Sequence, residues 1–159
     1  MIHELPKPWY DPIAYKKIRL EEAKFEAEIA KKFVNENLTR NAAGKIFQAW
    51  EALVAALAVD KRNEIENKYK GIVKIKEGKK VKRADWIIAI MPTSYLKEIS
   101  IIIGGEINYL TDKAILIHQY QYNGPDKEGV LSSYRSDEIA KNDILTLINE
   151  IEKILSRFS

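Results

Sequence analysis

Between Thr39 and Val59, apolar side chains recur at alternating three- and four-residue steps: Ala43, Ile46, Phe47, Trp50, Leu53, Val54, Leu57 and Ala58. That period lays them along one face of an α-helix, whereas a half-buried strand would alternate every second residue. Interleaved Ala42, Gly44, Ala49, Ala52, Ala55 and Ala56 leave little side chain on the adjoining strips, so neighbouring helices approach closely on more than one side. The segment is predicted to be the central helix of a bundle.

The flanking sequence reads the same way. Asp11 followed by Pro12 offers a capping oxygen and a preset φ, which predicts a first helix from Pro12 to about Asn37, with Ile18, Ala23, Ile29, Ala30, Phe33 and Val34 as an irregular apolar stripe. Residues 60–70 are polar nearly all round and predict a solvated, fraying extension of the central helix. Residues 71–82 predict a loop with room for a small hairpin. Around Pro92, the apolar runs 84–91 and 95–103 predict two helical pieces at an angle, ended by Gly104 and Gly105. A further helix is expected from Glu106 to about Tyr122, stopped by Asn123, Gly124 and Pro125, followed by a loop over 127–135. Ser136 caps a last helix whose buried stripe is Ile144, Leu147, Ile148, Ile151, Ile154, Leu155 and Phe158. The expected fold is all-α, a single-domain helical bundle of five to six helices over residues 11–159. An extended N-terminal arm over 1–10, with Pro6, Pro8, Trp9 and Tyr10, precedes it.

With 159 residues, 46% hydrophobic, the chain suffices for one sizeable core. It has no cysteine and only two histidines, one at position 3, so disulfides, thiolate chemistry and a zinc-type centre are not expected, and no cofactor is implied. The net charge of +3 is spread along the chain and permits nucleic-acid contact without requiring it. The start lacks the basic-then-apolar pattern of a signal peptide, and the apolar runs fall short of spanning length, so a cytoplasmic protein without membrane contact is expected. Abundant Lys, Glu and Ile is a composition also seen in thermophiles.

Chemistry is best sought between Thr111 and Asp126. There Lys113 and His118 interrupt a run that otherwise reads as core, followed by Tyr120 and Tyr122 at the helix end. Burying titratable groups costs free energy unless they are paired or used. His118 reads either as a histidine hydrogen-bonded to a neighbouring helix or as a proton-exchanging group, and Lys113 either as a snorkelling lysine or as fixed positive charge. The basic run Lys79, Lys80, Lys82 and Arg83 is a candidate phosphate contact, although a solvated inter-helix loop explains it more simply.

Taken together, the run Thr39-Arg40-Asn41-Ala-Ala-Gly44-Lys-Ile-Phe-Gln-Ala-Trp50 and the later Lys113, four residues, His118-Gln-Tyr120 resemble the HEPN superfamily of small helical bundles. More closely, they are similar to its archaeal branch of PaREP paralogous-repeat proteins. Active HEPN ribonucleases carry an Arg, four to six residues, then a His, extended in some toxins to a Tyr two positions on. His118, Tyr120 and the spacing match, and Lys113 stands where the family has Arg, which keeps the charge and loses the planar fork. The resemblance implies a homodimer that binds or cleaves RNA without metal at Lys113, His118 and Tyr120, as the toxin-like partner of a minimal nucleotidyltransferase. The alternative it leaves is a non-catalytic module that docks the nucleotidyltransferase or a nucleotide. On an ideal helix, Lys113 and His118 lie about 140° apart, so they converge only at the helix end or across a two-fold axis.

Overall fold

The structure, a computed structural model, describes residues 6–159; the beginning of the expected arm, with His3, lies outside the described residues. Among the described residues, seven α-helices follow one another: α1 (Pro12–Asn35), α2 (Thr39–Ala58), α3 (Arg62–Lys68), α4 (Arg83–Ile90), α5 (Thr93–Ile103), α6 (Gly105–Asn123) and α7 (Asp137–Ser156). The only strands among those residues are β1 (Ile72–Lys74) and β2 (Lys80–Lys82), paired antiparallel with Val73 opposite Val81. The chain is thus an all-α bundle, and its described residues divide into two compact units, 6–21 with 51–108 and 22–50 with 109–159.

In the first unit, the Asp11 carboxylate accepts from the Ala14 amide at 3.0 Å and starts α1 as its sequence requires. Residues 8–10 form a turn just before it, with the Tyr10 amide donating to the Lys7 carbonyl at 3.0 Å. The segment after α2 departs from the expected frayed extension. It turns through a short 3-10 stretch and folds as α3, because Ile65 and Tyr69, four apart, supply one apolar side, and Ile65 is fully buried. Met91, in the left-handed conformation at φ 43°, and Pro92 break the next apolar run, so α4 and α5 meet at 106°. Arg19 and Tyr15 of α1 cover the exposed end of α4. The Tyr15 hydroxyl donates to the Ile88 carbonyl at 2.6 Å and the Arg19 guanidinium to the Ala89 carbonyl at 3.1 Å, which satisfies acceptors that a helix C-terminus leaves open.

The second unit is assembled from the later part of α1, the start of α2, most of α6, and α7. Its α1 segment buries Ala23, Ala27, Ala30 and Val34, so the contact face is made of small residues rather than the expected Ile29 and Phe33, which are half-buried. Trp50 and Thr111, both fully buried, join α2 to α6 through an indole N–H···Oγ1 bond of 2.9 Å. Ser136 caps α7 by accepting from the Ile139 amide. The expected stripe of α7 is buried from Ile144 to Ile154; Phe158 lies past the helix end and is 44% exposed.

The loop between α6 and α7 is organised by one carboxylate. Asp126 accepts from the amides of Leu131 at 2.7 Å, Val130 at 2.9 Å and Glu128 at 3.1 Å, and these bonds, Leu131 first, hold it below its ordinary value of 3.8. A depressed folded-state pKa contributes stability that is complete above the unfolded value and is withdrawn as pH falls through the folded one. Acidification below about pH 4 is therefore expected to release the loop. The amide shifts of Val130 and Leu131, followed by NMR, should show a low-pH step that Asp126→Asn abolishes; a step that survives the substitution would contradict the assignment.

The helical stretch Thr39–Lys68 has the length and hydropathy of a membrane span, more than its interrupted apolar runs suggest, because the alanines raise its mean. Yet 67% of its apolar window is buried inside the protein, as in a core helix.

Candidate functional site

The C-terminal turn of α6 meets a stripe of α2 made by Arg40, Gly44 and Phe47, at positions i, i+4 and i+7. Phe47 stacks on the His118 imidazole, ring centroids 3.9 Å apart at 19°, and Tyr122 closes on the same ring edge-on at 5.0 Å. His118 is half-buried in this clamp. Its Nδ1 lies 3.2 Å from Gln121 Oε1, and no hydrogen-bond partner reaches Nε2 among the described residues. Burial pushes the imidazole below its ordinary value, against a smaller upward pull from Gln121, so near neutral pH it is a neutral ring.

A cation in the first turn of a helix sits against the dipole, and Arg40 holds that position in α2. Its side chain explains the placement by reaching the other polarity. Nε donates to the Gln121 carbonyl at 3.1 Å and Nη2 to the Tyr122 carbonyl at 2.7 Å, at the negative end of α6. Gly124, at φ 68°, ends the helix in the left-handed conformation, and its amide returns to the Tyr120 carbonyl. A Cβ there would stand 3.5 Å from Arg40 Nη1, so the guanidinium packs directly over the helix stop.

Beside this stripe, an open groove of about 420 Å³ is lined by Phe33, Arg40, Asn41, Lys45, Gln48 and Gln121 around Gly44. Lys45 reaches Glu26 at 3.2 Å, which leaves the Arg40 guanidinium as the groove's unneutralised cation among the described residues. Gln121 links groove to imidazole, since it lines the one and bonds the other.

Lys113 takes a different direction. It pairs with Asp143 of α7 at 2.9 Å, and the same carboxylate accepts from the Tyr134 hydroxyl at 2.6 Å. No hydrogen bond joins Lys113 to His118 among the described residues, in keeping with their angular separation on α6. Tyr120 is fully buried and its hydroxyl donates to Asp137 Oδ1 at 2.5 Å. Burial, then Asp137, pushes that phenol well above the usual tyrosine range, so it keeps its proton.

The basic run Lys79–Arg83 lies in the other unit, on the hairpin and at the start of α4. Lys79 lies over the Tyr10 ring, 3.6 Å from its centroid, and bonds its hydroxyl. Lys82 pairs with Glu66 at 3.0 Å and Arg83 donates to the Tyr95 hydroxyl at 2.8 Å, leaving Lys80 of the four without a partner among the described residues. Among those residues, too, no three His, Cys, Asp or Glu side chains are grouped to hold a metal ion.

The fold and site define a small all-α bundle with an aromatic-clamped imidazole next to an amide- and arginine-lined groove. The chain belongs to the archaeal PaREP1/PaREP8 family, whose family model matches residues 18–145. No curated protein and no solved structure shows a significant match to it.

Proposed function

We propose that this protein binds RNA in the groove between α1, α2 and the end of α6, and that His118 cleaves the bound strand without a metal. The observation that carries the reading is the half-exposed, neutral His118, clamped by Phe47 and Tyr122 with Nε2 unpartnered and joined through Gln121 to a groove that holds Arg40. Exposed carboxamides of Asn41 and Gln48 supply donors and acceptors for base edges, and Arg40, with Nη1 outside its two carbonyl bonds, supplies charge for a phosphate. In this reading the Nε2 lone pair takes the 2′-hydroxyl proton as the 2′-oxygen attacks the adjacent phosphorus. The imidazolium then returns a proton to the departing 5′-oxygen, leaving a 2′,3′-cyclic phosphate. Arg40, rather than Lys113, offsets the charge on the phosphorane, and the HEPN resemblance makes a homodimer the working form.

Cleavage of a single-stranded RNA in EDTA is expected to fall by about 10²–10³-fold in His118→Ala. Equal residual cleavage in both proteins would remove the catalytic assignment.

Two contacts favour a second reading, a non-catalytic module that docks a nucleotidyltransferase or a nucleotide. Lys113 is neutralised by Asp143, and the Tyr120 hydroxyl is buried against Asp137, so neither accompanies His118 in the groove. That reading predicts no cleavage by either protein.

A further inference from the structure

At Gly44 the backbone of α2 comes close against the Gln121 side chain. A Cβ at this position would stand 3.2 Å from Gln121 Cδ and 2.9 Å from Nε2, the latter nearer than real side chains tolerate. The amide therefore lies flat on bare backbone, with Nε2 toward α2 and Oε1 toward the imidazole, 3.2 Å from His118 Nδ1. An amide oxygen only accepts, so the ring nitrogen facing it carries the proton. The tautomer with Nδ1–H leaves the lone pair on Nε2, the nitrogen that no described residue engages, and stacking on Phe47 at 19° fixes the ring plane.

We propose that Gln121 is a positioning residue which selects the Nδ1–H tautomer of His118 and presents the Nε2 lone pair, and that Gly44 is the vacancy that lets it do so. This rests on the reading of His118 as the proton acceptor, but its geometry stands without RNA. The atoms that a Cβ at position 44 would strike belong to the end of a flexible side chain, so Gly44→Ala displaces the amide rather than the helix. Its consequence falls on the imidazole.

Long-range ¹H–¹⁵N correlations of the His118 ring above its pKa report the tautomer directly, in the free protein. The wild type should show mainly Nδ1–H. In Gln121→Leu and in Gly44→Ala the Nδ1–H to Nε2–H ratio should fall by about fivefold, the worth of one neutral hydrogen bond. Added to Gln121→Leu, Gly44→Ala should change nothing more, and Gln121→Asn, too short to reach, should resemble Gln121→Leu. An unchanged ratio in Gln121→Leu, or a full additional effect of Gly44→Ala in the Gln121→Leu background, would overturn the proposal. The functional reading fails separately: a tautomer shift in Gln121→Leu together with wild-type RNA cleavage by His118→Ala would remove the nuclease and leave the positioning intact.

Discussion

Trp50→Ala is expected to lower the unfolding free energy by about 4 kcal/mol, among the largest effects of any single substitution in the chain. Trp50 is fully buried on the central stripe of α2, so truncation leaves a cavity in the core. It also removes the indole donor to Thr111. Separating the two contributions requires a cycle. Thr111→Val keeps the volume but strands the indole N–H in the core and should cost about 1–2 kcal/mol. In a Trp50→Phe background, which has no donor to strand, the same Thr111→Val change should cost about 1 kcal/mol less. Urea unfolding followed by circular dichroism reads all four corners, and equal costs of Thr111→Val in both backgrounds would show that the bond does not matter.

Arg62→Ala should destabilise the first unit by about 3 kcal/mol, and more than Asp85→Ala does. The two side chains meet through a pair of 2.9 Å bonds, but their exposures differ: Asp85 is 4% exposed, whereas a third of the Arg62 side chain reaches water. Removing the arginine abandons a carboxylate inside the protein, its charge offset in part by the first turn of α4. Removing the aspartate lets the guanidinium turn outward, at a cost of about 1 kcal/mol. The double variant should accordingly be more stable than Arg62→Ala alone, an inversion that thermal unfolding detects. If Arg62→Ala proves no worse than Asp85→Ala, the buried carboxylate is not what the arginine serves.

How much of this was legible in the sequence depends on the range of the contact. The caps at Asp11 and Ser136, the break at Pro92 and the stop at Gly124 follow from residues within a few positions of one another, and the structure has them where local chemistry puts them. Ile65 is the counterexample. One buried isoleucine in a polar segment carries no periodicity, and α3 exists because tertiary burial selects the single apolar side it has. His118 stood out as a polar interruption, yet its neighbours Phe47 and Gly44 looked like core and spacing residues. Only the approach of α2 to α6 shows that they pack against His118 and Gln121. For Lys113, the partner Asp143 lies thirty positions away on another helix, and no pattern in the chain announces it. Arg40 did leave a signal, a cation in the first turn of a helix with no acidic residue beside it.

Titration of isotopically labelled protein with a short single-stranded oligoribonucleotide, followed by amide and side-chain shifts, tests the account most directly. Shifts concentrated on Arg40, Asn41, Gln48, Gln121 and the His118 ring are the predicted result. Shifts confined to the Lys79–Lys82 hairpin, or none at all, would contradict it.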